Sequence, residues 1–183
     1  MRLIIIAPPG AGKTTQSRIL EVNYNLKRIS TGEIFRDYFK DHTSWYDYTK
    51  TQFENGILCS DELTNDLVNR YLPKDNYLLD GYPRTLPQAE YFNDKLKGSY
   101  RPIHIIVDKK VLIERLLSRS LKETRTDNNG GVIQSRLEIY EKQTEPLIPY
   151  YRKLGILIEQ DGNEKIENIS SQLMQKINSS YSL

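Results

Sequence analysis

The sequence predicts an α/β protein of three layers, a parallel sheet with helices on both faces. Two observations predict it. Short apolar runs alternate with longer segments of helical spacing from end to end of the 183 residues, the pattern of repeated strand–helix–strand units. The first of these runs, Leu3-Ile4-Ile5-Ile6, passes through a Pro/Gly-rich loop straight into a segment that opens with Lys13-Thr14-Thr15. No repeat, low-complexity stretch or long linker interrupts the alternation, so one domain with small insertions accommodates the chain.

The elements follow in order. Leu3–Ile6 is too short for a helix and rich in β-branched Ile, so it reads as a buried strand. Ile19, Leu20 and Val22 mark a helix after Lys13. The short segment Lys27-Arg28-Ile29 leads to Ser30-Thr31-Gly32-Glu33, whose Ser and Glu three apart form a capping box. The helix so started carries Ile34, Phe35 and Phe39, with Arg36 near its N-terminal end. Ser44–Glu54 and Asp61–Tyr71 read as two more helices around an Asn55-Gly56 turn, with Trp45, Tyr46, Tyr48 and Phe53 filling a small helical core. Residues 30–60 therefore read as an insertion between strands.

Tyr77-Leu78-Leu79 is a second apolar strand, ending in Asp80-Gly81-Tyr82-Pro83-Arg84, and Leu86-Pro87-Gln88 starts a helix with Pro in its first turn. Ile103–Val107 is a further strand, and its His104, without a partner at ligand spacing, reads as structural. The helix Lys109–Leu121 has Leu112 and Leu116 on one stripe and puts Arg115 and Arg119 on one face. A polar, Gly-ended loop runs to Gly131. The next helix carries Ile133, Arg136, Leu137 and Tyr140, and Pro146 and Pro149 are expected to bend or interrupt its second half. Gly155 is a stop, Ile156-Leu157-Ile158 a last strand, and Asn163–Ile177 a closing amphipathic helix.

Composition bounds the function. A net charge of +2, 27% charged and 38% hydrophobic residues are ordinary for a soluble globular chain. The single cysteine, Cys59, can form neither an internal disulfide nor a Cys-based zinc site and fits a reducing compartment. The chain enters a core strand at once, so no signal peptide is expected, and no apolar run is long enough to cross a membrane.

The chemistry sits in Ala7-Pro8-Pro9-Gly10-Ala11-Gly12-Lys13-Thr14-Thr15. Strand, Gly-rich loop with Lys, then helix is the context of a P-loop. Its backbone N–H groups and the helix N-terminus surround phosphate oxygens. Lys13 adds a mobile positive charge near the β- and γ-phosphates, and a Thr14 or Thr15 hydroxyl serves Mg²⁺ or phosphate. The P-loop pattern begins with Gly where this chain has Ala7, harmless if that position only limits bulk and costly if it needs φ > 0. Asp80 ends a strand, where open parallel sheets bind ligands, and a carboxylate there can hold Mg²⁺ through water.

These residues carry a resemblance. Pro9-Gly10-Ala11-Gly12-Lys13 with Thr15-Gln16, Ile29-Ser30-Thr31-Gly32 with Arg36, and Asp80-Gly81-Tyr82-Pro83-Arg84 stand in the order seen in adenylate kinases. Arg115 and Arg119, Arg125 with Asp127, Arg136-Leu137 and Thr144-Glu145-Pro146-Leu147 with Tyr151 continue the series, so the chain resembles that family from about residue 2 to 178. The resemblance implies a P-loop-type fold with a five-stranded parallel sheet, a helical insertion for the nucleoside monophosphate at 30–60, a lid at 121–131, and a core from 1–29, 61–120 and 132–183. It implies transfer of the γ-phosphoryl of Mg·ATP to AMP, reversibly giving two ADP. By that resemblance Pro9, Gly10, Ala11, Gly12, Lys13, Thr14 and Thr15 hold ATP phosphates, Arg115 lies against the ATP adenine, and the backbone of the turn Gly162-Asn163-Glu164 faces the ATP base. Arg36 and Arg84 hold the AMP phosphate, and Arg119, Arg125 and Arg136 gather on the transferring group. Thr31, Cys59, Gly81 and Gln88 line the AMP site, and Asp80 organises Mg²⁺ through water. Physics agrees: phosphoryl transfer is mostly positioning and electrostatics, which arginines and a P-loop lysine supply.

Thr31 and Gln88 favour AMP, since kinases for UMP and CMP tend to carry Ala and Asn at those places. The lid segment is about ten residues here, like the short-lid form, with neither the length nor the cysteines for a zinc-bearing lid. A cytoplasmic monomer is expected, without nucleic acid or membrane as partners. The chain departs from the family pattern at Ala7, Thr14, Cys59-Ser60, Ser118 and Asn128. None of these removes a charge that handles phosphate. The alternatives are a kinase for another nucleoside monophosphate and a catalytically weak nucleotide-binding module. An ATPase or GTPase would need a water-positioning residue and a switch, for which no pattern is found.

Overall fold

Side chains of the first strand alternate between two cores, which is what a doubly covered sheet requires. In a computed structural model that describes residues 1–41, 47–120 and 130–181, with side chains for 1–40, 49–118 and 132–181, β1 spans Arg2–Ile6. Leu3 and Ile5 enter one cluster with Leu20, Leu78, Ile103, Ile105, Leu173 and Ile177. Ile4 and Ile6 enter another with Leu79, Tyr82, Phe92, Leu147 and Tyr151.

The sheet has five strands in the order β2-β3-β1-β4-β5. They are β1, β2 (Lys27–Ser30), β3 (Tyr77–Asp80), β4 (Arg101–Ile106) and β5 (Ile158–Asp161), and the pairings are parallel. Register sets the site. Asp80 stands opposite Ile5 of β1 and Ser30 of β2, so three strands end level at one rim.

Helices α1 (Lys13–Tyr24), α2 (Thr31–Asp41), α3 (Asp47–Glu54) and α4 (Asp61–Tyr71) precede or follow β2; α5 (Leu86–Leu96) and α6 (Lys109–Ser120) flank β4. Then come α7 (Gly130–Ile139), a π segment (Tyr140–Thr144), α8 (Leu147–Lys153) and α9 (Ile166–Tyr181). Phe35 and Phe39 of α2, Leu67 of α4 and Phe53 of α3 form a third, smaller cluster, with the Phe35 and Phe53 ring centroids 5.5 Å apart. Trp45 and Tyr46, expected in that core, lie outside the described residues, as does the Tyr48 side chain. Helix α4 joins this cluster to the main fold, placing Leu67 in one and Val68 in the other.

Several expectations shift. The capping box is half made: the Glu33 N–H donates to Ser30 Oγ at 3.4 Å, but the Glu33 carboxylate is taken by Arg28. The last strand begins at Ile158, not Ile156, because the Ile156 N–H donates to the Tyr151 carbonyl and closes α8. Gly155, at φ +68°, is the stop expected of it. The proline-bearing stretch is interrupted, as expected, and the interruption is a π turn in which the Glu145 N–H reaches the Tyr140 carbonyl at 2.9 Å. His104 is mostly buried, near Tyr140 Oη (3.3 Å) and Glu159 Oε1 (3.8 Å), in agreement with a structural residue. Gln16, from the P-loop helix, is buried and structural too: its Nε2 donates to the Ile166 carbonyl and its Oε1 accepts from Ser170.

Candidate active site

A cleft of about 650 Å³ runs along the sheet rim, bordered by Pro9, Gly10, Gly12, Lys13, Thr14 and Thr15 on one side and by Arg36, Arg84 and Arg136 on the other. The loop that feeds it owes its shape to two glycines. Gly10 has φ +86° and a Cβ there would stand 2.9 Å from Leu116 Cγ and 3.0 Å from the Leu112 carbonyl; Gly12 has φ +81° and serves as the α1 N-cap. No side chain caps α1, so its first N–H groups face the cleft unclaimed by a cap, as an anion site requires. Ala7 is absent from the non-glycine residues with positive φ. The backbone there does not demand glycine, so Ala7 carries no cost from φ > 0. Ala11 is turned into the core at 2% exposure and contributes its backbone to the loop, its N–H donating to the Pro8 carbonyl at 3.2 Å.

Lys13 Nζ donates to Asp80 Oδ1, and Arg28 Nη1 donates to Asp80 Oδ2 at 3.1 Å. Arg28 in turn is clamped by the Glu33 carboxylate at 2.6 and 2.7 Å and lies 3.4 Å from Glu21. Burial pushes the Asp80 carboxyl up, but the Lys13 ammonium, then Arg28 and Arg84, overcome this and hold it below the usual carboxylate range. Sequence reasoning passed over Arg28. Its one signal was a basic residue inside the β2 pattern, two before Ser30.

The other side of the cleft narrows to a pocket lined by Thr31, Gly32, Phe35, Arg36, Cys59, Gly81, Arg84, Gln88 and Arg136, among others. Arg84 is tied three ways. Its Nε donates to the Gly81 carbonyl at 2.9 Å, its N–H donates to Gln88 Oε1 at 2.8 Å, and its carbonyl accepts from Thr144 Oγ1 at 2.8 Å. Gln88, 1% exposed, also donates from Nε2 to Asp61 Oδ1 at 2.7 Å. An amide has two donors and two acceptor sites, so one of each remains for a base edge. The Thr31 hydroxyl donates to the Gly81 carbonyl at 2.9 Å. Burial pushes the Cys59 thiol up to about 11, so it lines the pocket as a neutral group. The departure at Ser60 is a helix cap: its Oγ accepts from the Leu63 N–H of α4 at 3.3 Å.

A side chain at Gly81 is disfavoured on two grounds. Its φ is +94°, and a Cβ would stand 2.6 Å from Thr31 Oγ1 and 3.0 Å from Arg84 Nη2. Gly81→Ala is expected to cost about 2 kcal/mol of stability or more from backbone strain and to displace Arg84. A thermal melt and a titration of the acceptor nucleotide check both.

Arg115 borders the cleft and donates from Nη2 to the Gly162 carbonyl at 3.0 Å. At the turn expected to offer its backbone to the ATP base, the Glu164 carboxylate accepts from Gln172 Nε2 at 3.3 and 3.4 Å on the exposed side. The short turn spends Glu164 on α9, leaving the backbone at Gly162 as the part that Arg115 contacts. Arg119 falls within α6, but its side chain, like the whole of Arg125 and Asn128, lies outside the described residues. Ser118 has no structural account.

A metal fits one end of this cleft. Asp80 offers a hard carboxylate oxygen at the sheet rim, and Thr14 and Thr15 offer hydroxyls in the first turn of α1. One carboxylate plus substrate phosphates and water is the donor set Mg²⁺ takes. No cluster of three or more His, Cys, Asp or Glu side chains able to hold a metal occurs among the described residues. No described helix is long and apolar enough to cross a membrane.

Comparison with known proteins agrees with the geometry. A family model for adenylate kinase matches residues 5–156. The chain is 40% identical over 185 residues to an adenylate kinase of Azobacteroides pseudotrichonymphae, covering 97% of each chain. It is 36% identical over 180 residues to that of Clavibacter michiganensis, covering 94% of this chain and 90% of the relative. It is 32% identical over 212 aligned residues to that of Caldanaerobacter subterraneus, covering 97% and 96%.

Proposed function

Given that the chain belongs to the adenylate kinase family and catalyses ATP + AMP ⇌ 2 ADP, we propose that the cleft between Lys13 and Arg84 is where the two nucleotides meet. The observation that carries this is the pairing of two phosphate-binding ends in one cavity: a P-loop with uncapped N–H groups at one, Arg36, Arg84 and Arg136 at the other.

Each residue then has a task. Backbone N–H groups from Gly10 to Thr15 and the Lys13 ammonium hold the ATP phosphates. Arg115 borders the ATP base. Arg36 and Arg84 hold the AMP phosphate in line. Arg136, with Arg119 and Arg125, neutralises charge on the group in transfer. Thr31 and Gln88, with the Gly81 backbone and the neutral Cys59, form the AMP base pocket. Adenylate kinases use Mg·ATP, and Asp80 is the residue that holds Mg²⁺ here through water. When bound, that ion neutralises phosphate charge. The protein's own contribution is to bring two polyphosphates together in fixed geometry against their repulsion.

Residues 30–60 act in this reading as the AMP-binding insertion, supported by the separate aromatic cluster of α2, α3 and α4. The segment 121–131 acts as a short lid without zinc. In support, the Caldanaerobacter alignment needs 212 positions to span a chain of 183, so that relative carries residues this chain lacks. The enzyme works as a monomer in the cytoplasm, a setting that a single unpaired cysteine fits.

A coupled assay with Mg·ATP against AMP, UMP, CMP and dTMP tests the reading. Fast ADP formation with AMP alone is expected. Preference for a pyrimidine acceptor would overturn the assignment of Thr31 and Gln88, and ATP binding without transfer would overturn the roles given to the arginines.

A further inference from the structure

Asp80 is 2% exposed, and two cations share it. They differ in freedom. Arg28 sits on a strand, its side chain 9% exposed, with its guanidinium held by Glu33 through two short hydrogen bonds and by Glu21. Lys13 opens α1 at the cleft wall, its side chain 22% exposed, and nothing beyond Asp80 engages its ammonium among the described residues. One cation is fixed and the other faces the ligand.

We propose that Arg28 is a positioning residue for phosphoryl transfer: it is the permanent counterion of Asp80, and it frees Lys13 to leave that carboxylate for the ATP phosphates. The inference rests on the reading of Lys13 as an ATP-phosphate ligand. Its physical ground is that a buried carboxylate stripped of its only cation is strongly disfavoured. With Arg28 in place, Lys13 can depart and Asp80 keeps one charge-assisted hydrogen bond on Oδ2. Without Arg28, Lys13 becomes the sole counterion and is held back from ATP. The pair of carboxylates behind Arg28 serves the same end, since Glu33 fixes the fork so that Nη1 stays on Oδ2 and leaves the Oδ1 side toward the cleft.

The test is a double-mutant cycle read by equilibrium binding, not turnover. Affinity for ATP in EDTA, and separately for AMP, is measured for the full chain, Arg28→Met, Lys13→Met and the double variant, with a thermal melt of each. The expected result is a loss of roughly tenfold in ATP affinity for Arg28→Met, no change for AMP, and no further loss when Arg28→Met is added to Lys13→Met. An equal loss in both backgrounds would overturn the proposal, because Arg28 would then act through the general field or the fold. Unchanged ATP affinity in Arg28→Met beside a loss in Lys13→Met would overturn it while leaving the Lys13 role intact. Unchanged affinity in Lys13→Met would instead remove the reading beneath it. Should Arg28→Met or the double variant, which strips Asp80 of both cations, not fold, Arg28→Lys takes the place of Arg28→Met throughout the cycle. It keeps the charge but cannot bridge Asp80 and Glu33 together, and a loss of roughly threefold confined to the Lys13 background is expected.

Discussion

Lys13→Met is expected to lower kcat by roughly a thousandfold, the loss found when a preorganised charge on the reacting group is removed, while the protein stays folded. The ammonium is the P-loop's movable charge and stands where α1 begins, so its stem is fixed by the helix and its tip reaches the cleft. The fold survives because the variant does not strand Asp80: Arg28 still donates to Oδ2 at 3.1 Å. Met also keeps most of the lysine stem's apolar volume. AMP affinity is expected to hold within about twofold, since Arg36 and Arg84 approach from the opposite wall. A coupled assay, a thermal melt and an AMP titration on one preparation separate the three effects. Near-normal turnover would show that the P-loop lysine has been misread.

What the sequence made legible were features with a local cause. A four-residue apolar run, a Pro/Gly loop and a helical pattern after Lys13 are local signals for strand, loop and helix, and β1 and α1 stand there. The helical faces of α2, α4 and α9 follow from spacing alone. What escaped were choices between competing partners, near or far in the chain. Arg28 and Asp80 are 52 residues apart and meet through the β2–β3 register, which no local pattern encodes. Glu33 looked like half of a capping box, but a buried guanidinium outcompeted the Ser30 backbone for it. Ile156 looked like strand and was spent on closing α8. In each case a side chain or N–H had more than one possible partner, and the sequence pattern alone does not rank them.

Arg84→Ala is expected to raise KM for AMP by roughly a hundredfold or more, the range for removing one partner of a buried charge-assisted pair, and to leave ATP affinity within about twofold. The selectivity follows from how Arg84 is held. Its Nε and its two backbone groups are engaged by Gly81, Gln88 and Thr144, and among the described residues no hydrogen bond engages its Nη1 or Nη2. The guanidinium is therefore presented to the pocket by ties from β3's end, α5 and the π turn. Alanine keeps the backbone ties, so Gln88 stays oriented toward the base and Thr144 keeps its acceptor. What is lost is the pair of donors for phosphate and a charge opposite the P-loop. Arg84→Lys restores the charge but not the fork, and its KM is expected between the two. Steady-state kinetics with AMP varied at saturating Mg·ATP, beside an ATP binding titration, read the split. A rise in KM for both nucleotides would mean that Arg84 supports the cleft as a whole, and unchanged AMP kinetics would move the acceptor phosphate to Arg36 and Arg136.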